Sequence, residues 1–480
     1  MALRKFALDA SLLTVARVFQ AITTVLALPI LARLLHPSDF GLMAVANSVL
    51  YLANVLADAG FGNSLVRTDF QERAIWSSVF WVTLVWSALL SLLVLALAVP
   101  AGWLLREPDV PPLVATMAII PLGFGVLAAP TADLQQRNRF DLISLSDILG
   151  SIAGVIAVIV FAYAGSGAWA LVAQSLTALL VKAVVILRTT RFRPLFVFDR
   201  HIIHEHLHFA RNTGAFALTL FLAAQMDTIL IARFVGNGPL GIYSMANRIN
   251  AMPMIITTSL GALYPRLVKL QNDKQAICQI VLITTMVMSI VIFPPMAILI
   301  AAGRSVFTVV LSDRWSELAP VFAYMAPVGA LMAVTGIHVS VLMAIGRTDA
   351  RLRLSLEHSI VWLVALILAV HFGIRAVALA MLLSYVVYYP RLLYIFLSPI
   401  GGSVVEYLRV LILPFLVSAA VALAHVLLRN LVALDSLQET GLAFVEGMIT
   451  YALLGLIMWG RVYEAFATMR TLITRADSSA

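Results

Sequence analysis

The chain has 480 residues, 62% of them hydrophobic and only 12% charged, with a mean hydropathy of +0.99. A soluble domain carries about 25% charged residues and needs polar surface cover that this composition lacks, so a soluble globular protein is excluded. The single cysteine, Cys278, excludes a disulfide framework within the chain and reads as a small apolar residue. The net charge of +8 reads as membrane topology rather than nucleic-acid binding, because most basic residues lie in loops or near the ends of apolar runs.

A membrane-spanning helix needs roughly 20 mostly apolar residues. The first such run, 10–33, follows Arg4 and Lys5 in the manner of a signal peptide. However, Arg17 and Gln20 interrupt it and no convincing small-residue cleavage site follows, so it is expected to be a retained helix. Apolar runs continue at 40–61, 75–104, 112–132, 143–163 and 167–187. After a polar stretch at 188–208, too short for a folded domain, they resume at 209–232, 240–263, 277–302, 320–345, 355–371 and 375–396, and end with 407–428 and 441–460. The fold class predicted is therefore all-α: a polytopic membrane protein of about fourteen transmembrane helices with no separate soluble catalytic module. Prolines 29, 253, 294, 295 and 327 fall within or near the ends of runs and are expected to kink or break them.

With the N-terminus inside, 23 of the 32 Lys and Arg fall on the cytoplasmic side and 7 on the other, Arg17 and Arg248 lying within spans. This asymmetry puts both termini in the cytoplasm and requires an even number of spans. Internal matches sharpen the count. At a spacing of 200, Ala32–Arg33, Gly41 and Ala46–Asn47 recur as Ala232–Arg233, Gly241 and Ala246–Asn247. At a spacing of 208, Arg139, Asp141, Gly165 and Ala170–Leu171 recur as Arg347, Asp349, Gly373 and Ala378–Leu379. Two nearly equal spacings predict two parallel six-helix lobes, 1–200 and 201–400, followed by two extra helices and a tail in 401–480. Paired repeats are the architecture of alternating-access transporters, with substrate held between the halves near the midplane.

Polar residues inside spans are costly in lipid and so mark candidate sites. Asn47, Tyr51, Asn54 and Asp58 share one face of the second span, and Arg17, Gln20 and Thr24 share one face of the first. The eighth span carries Asn247, Arg248 and Asn250, the seventh Gln225 and Asp227, and the fifth Asp147. Each has a plainer reading. Asp58 reaches the interface, Arg17 snorkels to the cytoplasmic side, Asn47 and Asn247 serve as interhelical hydrogen-bonding residues, and Asp147 is structural. Asp227 lies well inside its run and favours a cavity-lining or functional role. His201, His204 and His208 share a helix face that could bind zinc, although a solvated interfacial helix explains them better, and no metal site is expected.

Several motifs then carry a resemblance: Leu31–Ala32–Arg33–Leu34–Leu35 with Asp39–Phe40–Gly41–Leu42; Ala59–Gly60–Phe61–Gly62 with Leu65–Val66; Gln225–Met226–Asp227 with Leu230–Ile231–Ala232–Arg233; Leu240–Gly241–Ile242–Tyr243 with Ala246–Asn247–Arg248; and Trp315 with Ala319–Pro320. Over residues 1–400 the chain resembles the polysaccharide-transport branch, the Wzx-type flippases, of the multidrug/oligosaccharidyl-lipid/polysaccharide exporter superfamily. The resemblance implies a bacterial inner-membrane flippase that moves an undecaprenyl-diphosphate-linked oligosaccharide to the periplasmic leaflet for exopolysaccharide, capsule or lipopolysaccharide. It implies that lipid-linked substrate and membrane lipids as partners, with a polymerase and a chain-length regulator acting beyond it. No cofactor and no nucleic acid are expected.

On that reading Arg17 and Arg248 meet the diphosphate, while Gln20, Asn47, Tyr51, Asn54 and Asn247 meet sugar hydroxyls. Asp58 and Asp227 are the candidates for ion coupling. The rival readings are a drug/cation antiporter of the same superfamily, which would favour a more acidic cavity; a lipid II flippase, which would favour a more cationic one; and a membrane polymerase or acyltransferase, which would favour a large extramembrane loop or a His/Asp/Arg cluster at one face. The chain has no P-loop motif for nucleotide hydrolysis.

Overall fold

The computed structural model describes residues 16, 19–20, 22–57, 73–197, 221 and 224–478. It is all-α: no strand occurs among the described residues, and eleven of their helices are long and apolar enough to cross a membrane. The three predicted spans outside that count are accounted for individually. The first is described as α1 (22–34) and the seventh as α8 (224–234). The eighth, expected as one helix over 240–263, is corrected to a broken element: α9 (Asn237–Asn250), α10 (Met252–Thr258), a 3-10 turn and α11 (Tyr264–Lys269). The break falls where Pro253 has no N–H to continue the ladder from α9.

Between α1 and α8 run α2 (Pro37–Ala57), α3 (Arg73–Leu105), α4 (Val110–Met117), α5 (Ile119–Gln136), α6 (Phe140–Tyr163) and α7 (Ala168–Thr189). After α11 come α12 (Lys274–Ala301), the short α13 (Gly303–Val310), α14 (Leu318–Thr335), α15 (His338–Ala344), α16 (Thr348–Ala369), α17 (Ile374–Leu397), α18 (Val404–Leu431) and α19 (Ser436–Ser478). Of the prolines expected to kink or break helices, Pro253 sits at a break. Pro29, Pro294, Pro295 and Pro327 lie inside continuous α1, α12 and α14, as membrane helices tolerate where neighbouring groups satisfy the freed carbonyl.

The chain packs as two units, Met1–Gly241 and Ile242–Ala480. In the first, α6 packs along α7, and α3 packs on α4 and α5. Trp76, Val79 and Phe80 of α3 meet Ala129 and Ala132 of α5 and Phe192 beyond α7. The segment 190–197 is strapped to α3 by hydrogen bonds. The Leu195 N–H donates to Ser77 Oγ at 2.9 Å, and the Trp81 indole donates to the Leu195 carbonyl at 2.8 Å. In the second unit α12 packs on α14, α18 and α19, with Met286 against Leu454 and Met458. Outward-facing side chains are apolar, as lipid requires: Val387 is 75% and Leu456 80% exposed. Lipid tails are as apolar as leucine, so close van der Waals contact rather than water exclusion holds such helices together.

Both internal matches reappear as local geometry. Asn138 and Gly346, 208 apart, have φ of +53° and +72°. The next residues, Arg139 and Arg347, are helix N-caps at φ −94°, ψ 53° and φ −92°, ψ 54°. Their N–H groups donate to Leu134 and Leu342, both at 2.8 Å, and their side chains pair with Asp141 and Asp349 at 3.0 and 3.1 Å. At the other spacing, Leu35 and Val235 each close their helix on Leu31 and Ile231 at 2.8 Å.

Candidate functional site

The polar residues singled out above separate into distinct environments. Arg17, Asp58 and the His201–His208 cluster lie outside the described residues, as does the 200/201 lobe boundary. On α2, Asn47 is exposed, while its neighbours Ala46 and Ser48 are buried at 0% and 2%. Tyr51 and Asn54 follow on the same face, half-buried, and the Asn54 Oδ1 atom is buried without a hydrogen-bond partner. On α9 the pattern repeats: Asn247 and Arg248 are exposed beside the fully buried Ala246.

Asn250, three residues further, is 4% exposed, and its Oδ1 lies over the backbone of Gly329 on α14. Shared spacing thus does not make Asn250 part of the exposed face; it is a packing residue with an unsatisfied buried oxygen. Asp227 on α8 is half-buried and accepts from the Thr228 N–H at 2.7 Å. Gln20 donates to the Asp147 carbonyl of α6 at 3.2 Å, which ties it to protein. The Asp147 side chain pairs with Lys182 of α7 at 2.6 Å.

Two polar groupings escaped the sequence reading. Asp133, fully buried at the end of α5, accepts from Arg137 at 2.8 Å, the Thr190 hydroxyl at 2.7 Å and the Arg191 N–H at 2.9 Å. One carboxylate therefore anchors the last turns of α5 and α7. The second grouping joins His425 of α18 with Glu439 and Glu446 of α19 and Ser305 of α13. Its only sequence signal was two acidic residues and a histidine inside or beside the last two apolar runs.

Residues 30–320 match a family described as polysaccharide biosynthesis protein. The chain belongs to this family. Among its relatives, the succinoglycan biosynthesis transport protein ExoT of Rhizobium meliloti is 28% identical over 62% of this chain and 61% of its own length. The lipopolysaccharide biosynthesis protein WzxC of Escherichia coli is 24% identical over 81% of this chain and 80% of its own. The teichuronic acid biosynthesis protein TuaB of Bacillus subtilis is 28% identical over 62% of each.

Of the solved structures, the lipid II flippase MurJ in an inward closed conformation matches with a TM-score of 0.73 over 94% of this chain and 99% of its own, at 14% identity. An inward-facing multidrug resistance MATE family transporter of the MOP superfamily gives 0.51 over 81% and 94%, at 16% identity. At such identities the likeness shows the fold alone, an all-α multi-pass architecture.

Proposed function

We propose that this protein is a flippase that carries an isoprenoid-diphosphate-linked oligosaccharide across the bacterial inner membrane, from the cytoplasmic leaflet to the periplasmic one, for exopolysaccharide, capsule or lipopolysaccharide assembly. Membership of the polysaccharide biosynthesis family and the names of its relatives support a polysaccharide-related substrate. The observation that carries the reading is the exposure of Asn47, Asn247 and Arg248 on helices that bury Ala46, Ser48 and Ala246 alongside them. Exposed amides and a guanidinium at membrane depth are expensive against lipid. They are useful against a hydroxyl-rich, anionic headgroup, which offers hydrogen-bond partners and a charge-assisted pair for arginine.

Arg17 and Arg248 would meet the diphosphate, and Gln20, Asn47, Tyr51, Asn54 and Asn247 the sugars. Asp58 and Asp227 would couple transport to an ion gradient. Both termini lie in the cytoplasm on this reading, because that orientation places the basic loops inside. The protein is then a transporter rather than an enzyme, and polymerisation falls to a separate partner.

The test is deletion of the gene in its host, followed by assay of surface polysaccharide and of lipid-linked oligosaccharide in each leaflet. Lost polymer with completed repeat units stranded on the cytoplasmic face supports flipping. Repeat units that reach the periplasm unpolymerised would instead indicate a polymerase, and unchanged polymer would return the protein to the drug exporters.

A further inference from the structure

The two helices beyond the repeated lobes hold a buried chain of ionisable groups. His425 of α18 is fully buried. Its Nδ1 lies 2.6 Å from Glu446 Oε2 and its Nε2 3.3 Å from Glu439 Oε1, both on α19. Glu439 also accepts from the Ser305 hydroxyl of α13 and lies 3.8 Å from the Arg429 guanidinium. Arg429 in turn donates to the Ala301 carbonyl at the end of α12, at 3.4 Å. His425 and Arg429 stand four residues apart on one helix face, and Glu439 and Glu446 stand seven apart on the facing one. Nearby on α19 the apolar Phe444 and Met448 are exposed by 71% and 61%. Glu446 thus points inward from a lipid-facing segment, where a lone carboxylate would be costly.

Counting protons shows what this geometry requires. Each ring nitrogen faces a carboxylate oxygen, and a hydrogen bond at both ends needs two protons among the four atoms. That is met by an imidazolium between two carboxylates, or by a neutral imidazole with one carboxylic acid. Taking one proton away leaves two lone pairs in contact at one end, so the emptied site opens that contact. With Arg429 charged, the four groups sum to zero when both protons are present and to −1 when one leaves. The chain ends at water. Glu439, Ser305 and Arg429 line a cleft of about 610 Å³ together with Arg304, Asp313 and Ser436. Arg304 and Asp313 are the other charged groups that face the cleft.

We propose that His425, Glu439 and Glu446 form a proton-binding site that the transporter loads and empties as it works, with the Arg304–Asp313 cleft as its aqueous entry. The proton arrives from water at Glu439 and is shared through the imidazole with Glu446, and it is released towards the cytoplasmic side in the opposite state of the transport cycle; only N–H and O–H bonds form and break. The proposal rests on the transport reading, and on the orientation that puts this cleft on the periplasmic side, where a proton gradient delivers protons. It adds a further protonatable centre to the proposed Asp58 and Asp227, in a helix pair outside the repeated lobes.

The test uses the full chain in lipid bilayers with nitrogen-15-labelled histidine. One imidazole signal, missing in His425→Gln, is expected to change its protonation as the pH is raised from acid to alkaline. Glu446→Gln, which keeps the shape and removes the negative partner, should displace the midpoint of that change. An imidazole signal that stays unchanged with pH, or a midpoint that Glu446→Gln leaves in place, overturns the site. In the deletion host, Glu446→Gln and His425→Gln at normal membrane levels should export less polymer and lose the response to a collapsed proton gradient. Retention of that response overturns coupling. Failure of the unmutated gene to restore polymer would count against the transport reading alone, because the titration is measured without transport.

Discussion

The contact of α6 with α7 sets a sharp test of how this fold is held together. A Cβ added at Gly150 would lie 2.8 Å from the Ala178 carbonyl oxygen, and one at Gly154 2.9 Å from that of Gln174. Carbon-to-carbonyl contacts settle near 3.3–3.6 Å, so alanine requires the helices to part by about 0.5 Å. The obstacles are backbone atoms, which no rotamer change removes. Overpacking of this kind costs about 1–3 kcal/mol, and the better helix propensity of alanine returns about 0.8–1 kcal/mol.

Gly150→Ala should therefore destabilise by about 1 kcal/mol and Gly150→Leu by about 3 kcal/mol or more. The double variant Gly150→Ala, Gly154→Ala should cost less than the sum, because both sites open the same interface. Gly455→Ala on α19, with nothing within 4 Å of its Cβ position, is the control and should be neutral or slightly stabilising. The assay is reversible unfolding in mixed micelles titrated with a denaturing detergent, where about 2 kcal/mol moves the folded-to-unfolded ratio roughly 30-fold. If Gly150→Leu unfolds with the unmutated protein, or Gly455→Ala is as damaging as Gly150→Ala, the close-packing argument is refuted.

Three further outcomes are expected. Asp133→Asn strips the charge from three donors at a fully buried site and should destabilise by about 1–3 kcal/mol, with Thr190→Val costing about 1 kcal/mol, both read in the same unfolding assay. Arg248→Gln should lower export about 10- to 100-fold, the worth of a hydrogen bond to a charged group, while Asn47→Leu and Asn247→Leu should each lower it several-fold at unchanged membrane level; polymer per unit of protein is the measure. Asp227→Asn should leave the protein in the membrane but reduce export, and polymer at the unmutated level would remove Asp227 from the coupling role.

The spans were legible because hydrophobicity in a bilayer is a property of consecutive residues, and sequence displays consecutive residues directly. The turns between corresponding helices were legible for a related reason. The arginine N-cap with its aspartate two residues on is a local motif, so Arg139–Asp141 and Arg347–Asp349 give the same dihedrals wherever they occur. The break in the eighth span was harder to place, because Pro253 ends a helix while Pro294 and Pro295, equally visible in sequence, do not. What decides is whether neighbouring helices satisfy the freed carbonyls, a tertiary property.

The exposed pair Asn47 and Asn247 followed from the repeat, but Asn250 was grouped with it by spacing and proved to face Gly329. The His425 grouping was invisible for a different reason. Its members sit 14 and 21 residues apart, and only antiparallel pairing of α18 with α19 sets them on one level. Each charge, taken alone, looked like an interruption of an apolar run.

The central claim is best tested by placing a short lipid-diphosphate oligosaccharide in one leaflet of sealed vesicles and following its access to a membrane-impermeant glycosidase added outside. Vesicles with the purified full chain should move the protected fraction into reach of the enzyme, with Arg248→Gln vesicles slower by about 10-fold or more. A protected fraction that stays protected, in vesicles whose protein is folded and correctly inserted, would contradict the account.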